Sequence, residues 1–419
     1  MAFAHALVKT ARTIYIFAMH YKADFDILTH MKTIGIMIER QRAYGRRLCE
    51  GVVRFAQERN DWSLRIIEFS ELDSKLRKGR YDGFIARVMN DEIAKKLAKA
   101  GRPVVDVFFE KPIPGFAAID QNGRVVGQMA ARHFIEHRFT NFAFCGYDGR
   151  RYSDDRKHGF IRFLELNHHT CACYRTPTLV LKDFESSVVM REHFGLPLDA
   201  KCLTRWIQRL PKPVGVFCAH DMRAYQLSEI CRAEGICIPD EVAILGTDDD
   251  ELVCQFTEPP ISSIDQNAVG IGYAAAESLQ KMLDTPGTIP PLVKVKPLRL
   301  VGRRSTMTYP LSPKWLSDAL AFIQSNIPQN ISAADVYAHV GKSHTLVDAA
   351  FRSQLGTSVQ KEISRIRLKE ARRLVQTTAM PLQDIAKVCG YSSLQYFSNA
   401  FSRAFGTSPS SQRTRPEQH

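Results

Sequence analysis

The stretch LQDIAKVCGYSSLQYFSNAFSRAFGTSP, Leu382 to Pro409, sets a short helical pattern, a glycine and two serines before a longer amphipathic run. In that run Phe397 and Phe401 are four residues apart, so both side chains fall on one face of a helix. Gln395 and Asn399 share another face, and Gly406 stands where a helix C-cap belongs. The same order of features occurs about 49 residues earlier, in AADVYAHVGKSHTLVDAAFRSQLGTS, Ala333 to Ser358. There Gly341 ends the short helix, Ser343 is placed to cap the longer one, and Val347 and Phe351 form the apolar pair. In the later copy Ser392 is the matching cap, and Gly356 matches Gly406. A short helix, a tight turn and a second helix make a helix-turn-helix. Here the pattern occurs twice, joined by a helix over Val359–Thr377.

Upstream the grammar changes. From Ile34, short apolar runs such as IGIMI, DGFIARV, PVVDVFF, NFAFCG, GVFCA and VAILG alternate with stretches of helical length. That alternation predicts βαβ units and parallel sheets covered on both faces. The runs are too many for one small sheet, so the fold class is a two-lobed α/β domain of doubly wound parallel sheets followed by an all-α tandem helix-turn-helix domain. PGTIPP and RRSTMTYPLSP interrupt the pattern, and beyond Pro313 only helical periodicity follows. The expected organisation is a disordered extension over residues 1–30, a sensor over 31–302, a linker over 303–312 and the helical domain over 313–415. Lobe 1 takes about 31–140 and 265–302, lobe 2 about 141–264. Residues 1–30 lack the order of charge, apolar run and small residues of a signal peptide, and Met31 directly precedes the first strand pattern, so Met31 is the expected natural start.

Charge points the helical end toward a polyanion. The net charge is +13, and Pro310–His419 carries 13 Lys and Arg against 7 Asp and Glu. Ten cysteines without CxxC pairs read as reduced thiols of a cytoplasmic protein. His168, His169, Cys171 and Cys173 are metal-type ligands crowded into six residues with no second half-site, so they read as incidental side chains at a helix-to-strand turn, with no metal or cofactor expected. No apolar run approaches the roughly 18 residues of a membrane span.

The tail resembles the DNA-binding domain of the AraC/XylS family. It carries that family's S-x-T-x-V-x-x-x-F motif at Ser343, Thr345, Val347 and Phe351, and its I-A-x-x-x-G-Y-x-S-x-x-Y-F-x-x-x-F motif from Ile385 to Phe401. The resemblance implies that the second helix of each unit enters the major groove of double-stranded DNA, the two units reading adjacent turns on one DNA face, with operator direct repeats as the target. By position Thr345, Asp348 and Ala349 would face bases in the first unit, and Leu394, Gln395, Tyr396, Ser398 and Asn399 in the second. Gln and Asn can bond adenine bidentately, while Leu or Tyr can meet a thymine methyl, so the second unit is expected to read more sequence. Lys342, Arg352, Lys361, Arg365 and Arg403 are the candidate phosphate contacts, with solubilising charge as the alternative. Gln412 departs from the family, which has an aromatic there; looser packing of the last helix would follow.

From His220 onward the chain resembles the LacI/GalR regulator core, a periplasmic-binding-protein-like fold. The matching residues include Asp221, Gly235, Ile238–Val242, Gly246-x-Asp248-Asp249 and Pro259–Ile264, with Asp120–Asn122 and Arg156-x-x-Gly159-Phe160 upstream. A sensor of this kind fused to a C-terminal AraC-type domain is the architecture of the xylose operon regulators. The resemblance implies a sugar-responsive transcription factor that activates a pentose operon, with an aldopentose effector, a homodimer and RNA polymerase as partners. By matching position the sugar contacts are Asp248, Asp221, Arg156 and Asn122, with Tyr44 and Arg46 from the first loop. Carboxylates and a forked Arg suit vicinal hydroxyls, and Tyr44 or Tyr152 could cover a sugar ring. Asp248–Glu251 could instead be a solvated loop or a cation site, and His220 departs from the small polar residue common in such sensors. Closure would turn on hinges near residues 135–150 and 262–266.

Two rivals belong to other classes. An enzyme of the same fold would need a catalytic motif, and no GxGxxG, GxxxxGK[ST] or GxSxG occurs. A sugar-binding protein whose tail engages another protein is the second.

Overall fold

Short apolar runs flanked by glycines and polar residues become the central strands of two sheets. The computed structural model describes residues 31–177, 197–311 and 313–413. The extension expected over residues 1–30 therefore lies outside the described residues.

The first lobe begins with β1 (Lys32–Met37), α1 (Ala43–Arg59), β2 (Trp62–Ile66), α2 (Leu72–Lys78), β3 (Gly83–Ala86), α3 (Asp91–Lys99), β4 (Val104–Asp106) and β5 (Ala117–Gln121). Helix α4 (Gly123–Glu136) leads to the second lobe, with β6 (Asn141–Cys145), α5 (Arg151–Leu166), β7 (Ala172–Cys173), α6 (Ala200–Arg209), β8 (Val214–Cys218), α7 (Asp221–Ala233), β9 (Val242–Thr247), α8 (Glu251–Gln255) and β10 (Ser262–Asp265). Helix α9 (Ala268–Asp284) returns to the first lobe and β11 (Val293–Val295), after which β12 (Arg299–Val301) rejoins the second. The sheet orders are β11-β5-β4-β3-β1-β2 and β12-β10-β9-β8-β6-β7.

All pairings are parallel except that β12 runs antiparallel to β10, with Ser263 opposite Val301. Residues 299–306 thus pack with the second lobe and not, as expected, with the first lobe or a linker. The reason is local bonding. Ser305 Oγ donates to the Ile244 carbonyl at 2.6 Å and accepts the Ser262 N–H at 2.8 Å, while Arg303 pairs with Asp249 at 2.7 Å.

The first lobe's core joins Ile34, Leu48, Val52, Ile85, Ile271 and Leu279, each with no exposed surface. Burying one such side chain fully contributes roughly 1.5–3 kcal/mol. Helices α1 and α9 approach so closely that a Cβ on Gly51 would stand 2.0 Å from the Val269 carbonyl oxygen, and one on Gly272 1.9 Å from that of Leu48. Two glycines facing each other's backbones set that helix spacing.

By contact the chain divides into a unit ending at His133 and resuming over Asn141–Thr306, and a second unit of Phe134–Thr140 and Met307 onward. The second holds α10 (Lys314–Ser325), α11 (Ala333–Val340), α12 (His344–Leu355), α13 (Val359–Thr377), α14 (Leu382–Val388), α15 (Leu394–Phe405) and α16 (Pro409–Gln412). It has two apolar cores. Leu320, Val336, Val347, Phe351 and Ile363 belong to one, and Ala371, Val375, Ile385, Phe397 and Phe401 to the other. Helix α13 supplies residues to both and is the spine of the unit. Pro409 is buried at the start of α16, and Arg413 donates to the Met380 carbonyl, so the last helix is tied down despite Gln412.

Candidate ligand cleft and nucleic-acid interface

Between the lobes lies a cleft at the carboxyl ends of the strands, where open α/β sheets bind ligands. The loop after β1 brings Glu39, Gln41 and Arg42, the first turn of α1 brings Tyr44, the ends of β3 and β5 bring Arg87 and Gln121, and the second lobe brings Tyr152, Arg156, His220, Asp248 and Gln266.

Arg156 is the hub. It donates to the Ala219 carbonyl, to Gln121 Oε1 at 2.6 Å and to Gln266 Oε1 at 2.6 Å, and its Nη2 stands 3.7 Å from Asp248 Oδ1. It therefore ties α5 to both lobes, and the buried cation is offset by acceptors on both of its Nη atoms. Asp248 adopts φ 113°, a region that disfavours side chains, and accepts from Gln266 Nε2. Burial pushes its carboxyl above the usual range, against the pull of Arg156. Arg87 pairs with Glu39 and lies over the Phe108 ring at 4.7 Å; burial lowers it to about 10.

His220 stacks beside Tyr147 at 5.4 Å and Tyr152 at 6.2 Å. Its Nδ1 accepts the Arg223 N–H at 3.0 Å, which places the ring hydrogen on Nε2. Burial, followed by the charge of Arg42, pushes its pKa down to about 3, so the ring is neutral at ordinary pH. The cleft can thus offer a neutral donor, carboxylate and amide acceptors, guanidinium forks and aromatic faces.

The structure places Asp248, Arg156 and Tyr44 on the cleft wall, and Asp221, Asn122 and Arg46 outside its lining. Asp221 is buried, with Oδ1 accepting from Ser263 Oγ at 2.6 Å and Oδ2 from the Asp250 N–H at 2.8 Å. Asn122 caps α4 through the Val125 N–H, and Arg46 donates to the carbonyls of Arg40 and Gln41. All three brace the frame. Asp249 and Asp250 are buried and bonded, and no group that could hold a metal ion occurs among the described residues. The turn His168–Cys173 does join a helix, α5, to a strand, β7. Arg42, Arg87, Glu39, Gln121 and Gln266 escaped the sequence reading; a polar tail directly after each apolar strand run was the available signal.

In the helical unit, Ser343 caps α12 and accepts the Leu346 N–H, while Ser393, one residue later than expected, caps α15 and accepts the Tyr396 N–H. Ser392 lies in the turn instead. Val347, Phe351, Phe397 and Phe401 are fully buried, leaving Thr345, Ala349, Leu394, Gln395, Tyr396 and Asn399 exposed. Gln395 Nε2 donates to Asn399 Oδ1 at 3.4 Å, so the two amides form one surface. Ser398 is half-buried, and Asp348 turns inward, accepting the Val359 N–H at 3.2 Å. Lys342, Arg352, Lys361 and Arg403 are exposed; Arg365 is held in a forked pair with Glu362 at 2.9 and 2.6 Å. His344 and Leu346, at the positions of Leu394 and Tyr396, share the exposed face of α12 and were not singled out from the sequence.

Comparison with known proteins matches a periplasmic binding protein-like domain over residues 131–306 and a helix-turn-helix domain over 337–415. The xylose operon regulatory protein of Escherichia coli K12 is 26% identical over 396 residues, covering 92% of this chain and 98% of that protein. That of Haemophilus influenzae is 24% identical, covering 90% and 96%. The solved structure of a xylose-binding transcription activator, XylR, superposes with a TM-score of 0.56 at 26% identity, covering 91% of this chain and 97% of that one. A ribose-bound LacI family regulator from Enterococcus faecium superposes at 0.53 and 19% identity over 67% of this chain, a likeness of fold. No helix among the described residues is long and apolar enough to cross a membrane.

Proposed function

We propose that this chain, a sugar-sensing DNA-binding transcriptional regulator built like the xylose operon regulators, takes an aldopentose, D-xylose first, in the cleft around Arg156 and Asp248. The observation that carries the reading is a buried polar cleft and two capped helix-turn-helix units within one chain. The groups lining the cleft match a small neutral polyol: they include both acceptors and donors, and Tyr44 and Tyr152 supply faces for ring C–H groups.

Sugar favours the closed lobes by its differential affinity for them. Closure changes a dimer interface and so the spacing of two helical units on direct repeats, from which RNA polymerase is recruited in the cytoplasm. Asp248, Arg156, Tyr44 and His220 are the proposed sugar contacts. Gln395, Asn399, Leu394 and Tyr396 are the proposed base readers, with Arg403, Lys342, Arg352 and Lys361 on phosphates.

A thermal-shift screen of aldopentoses, hexoses and uronic acids tests the effector. A ligand at a hundred times its Kd stabilises the native state by about 2.7 kcal/mol. D-xylose should raise Tm, and Asp248→Asn should abolish the rise; an unchanged rise in that variant would remove the cleft assignment.

A further inference from the structure

Among the described residues, one buried cation lies where the two helix-turn-helix units meet. Arg367, in the middle of α13, is only 9% exposed, and among the described residues its hydrogen-bond acceptors are a side-chain amide and a backbone carbonyl, with no carboxylate. Its Nη2 donates to Asn330 Oδ1 at 3.0 Å and to the Ile331 carbonyl at 2.9 Å, just ahead of Ser332, which caps α11. These bonds fix the entrance to the first unit.

The same guanidinium abuts the turn of the second unit. Gly390, between α14 and α15, has φ 72°, and a Cβ there would lie 3.1 Å from both Nε and Nη2 of Arg367. That Cβ would also stand 2.6 Å from the Ile327 carbonyl oxygen, in the segment leading to Asn330. The residue after Gly390, Tyr391, is buried, and Tyr396 is on the exposed face of α15. Apart from the shared α13, the apolar cores of the two units are separate. Burying a cation without a carboxylate is costly, and here it is offset by hydrogen bonds to the first unit's entrance.

We propose that Arg367 is a positioning residue that clamps the entrance of the first helix-turn-helix to the turn of the second, so that α12 and α15 address DNA at one fixed spacing and rotation. The proposal rests on reading the helical unit as DNA-binding. Each inserted base pair turns a half-site by about 35° and moves it by about 3.4 Å. A clamped pair of helices cannot follow such a change.

The probe is a duplex selected by the full-length chain from a random-sequence pool, and footprinting locates its two half-sites, the adjacent major-groove segments within one direct repeat, one for each helix-turn-helix of a single chain. Inserting one or two base pairs between the half-sites should weaken wild-type binding at least tenfold. In Arg367→Ala the same insertions should cost less than threefold. Asn330→Gly keeps the left-handed backbone and removes one clamp bond, and should give an intermediate penalty; it decides the matter if Arg367→Ala does not fold. Folded variants that keep the full wild-type penalty would overturn the clamp. Amide exchange of the DNA-free chain supplies an independent reading. Arg367→Ala should speed exchange in residues 327–332 and 390–393 together, and unchanged exchange in both overturns the proposal. If the wild type selects no duplex, the DNA-binding reading fails, and the exchange result still decides the clamp.

Discussion

The backbone N–H of Ala43 donates to Asp250 Oδ2 at 3.0 Å, joining the first turn of α1 in one lobe to the loop after β9 in the other. Arg47 reinforces the junction from the same helix, donating to the Asp248 carbonyl at 3.1 Å. The loop that carries Asp248 is therefore held by the opposite lobe. A hydrogen bond to a charged acceptor is worth about 1.5–3 kcal/mol. Asp250→Ala should raise the Kd for D-xylose roughly tenfold or more in calorimetric titration, and an unchanged Kd would show that this bond does not favour the liganded form.

His220 gives stability a defined pH dependence. Its native pKa of about 3 lies below the ordinary 6.5, so the unfolded chain binds the extra proton as pH falls. Stability is fully present above about 6.5 and declines below it by roughly 1.4 kcal/mol per pH unit, toward the native pKa. Buried Asp106, raised to about 6, works in the opposite direction between its two pKa values. The comparison must therefore be made against His220→Gln. Between pH 7 and 5 the wild type should lose roughly 2 kcal/mol more than the variant, read by urea unfolding at each pH.

Base readout and phosphate attraction separate on α15. Gln395→Ala and Asn399→Ala should each relax preference among duplexes by about 1–3 kcal/mol while leaving the salt slope unchanged. Arg403→Ala should weaken binding to all duplexes alike and lower the salt slope by about one. Quantitative binding to matched and mismatched duplexes at several salt concentrations measures both.

The helical unit was legible because its signals are local. Caps, glycines and the Phe397–Phe401 seam lie within one stretch of chain, and only the N-cap moved, from Ser392 to Ser393. The inward turn of Asp348 toward the Val359 N–H was hidden, since it depends on the neighbouring α13. The cleft was legible only in part. Its walls come from strand ends more than 200 residues apart, from Glu39 to Gln266, so periodicity cannot assemble them. Residue type alone also failed to separate Asp248, on the wall, from Asp221, which braces the loop behind it. β12 was assigned to the wrong lobe because a three-residue strand carries no pattern that names its partner.

The glycine contact between α1 and α9 makes a stability prediction independent of any ligand. Gly51→Ala places a methyl group 2.0 Å from the Val269 oxygen, a backbone atom that cannot rotate away. Overpacking of this kind typically costs 1–3 kcal/mol. Chemical denaturation should show a lower midpoint with the same slope.

A footprint of the full-length chain on its selected duplex, with and without D-xylose, tests sugar-controlled DNA binding itself. Two protected direct repeats are expected, one for each helix-turn-helix pair, with half-maximal protection shifting at least fivefold in protein concentration when the sugar is present. Absence of sequence-specific protection in both conditions would contradict sugar-controlled binding.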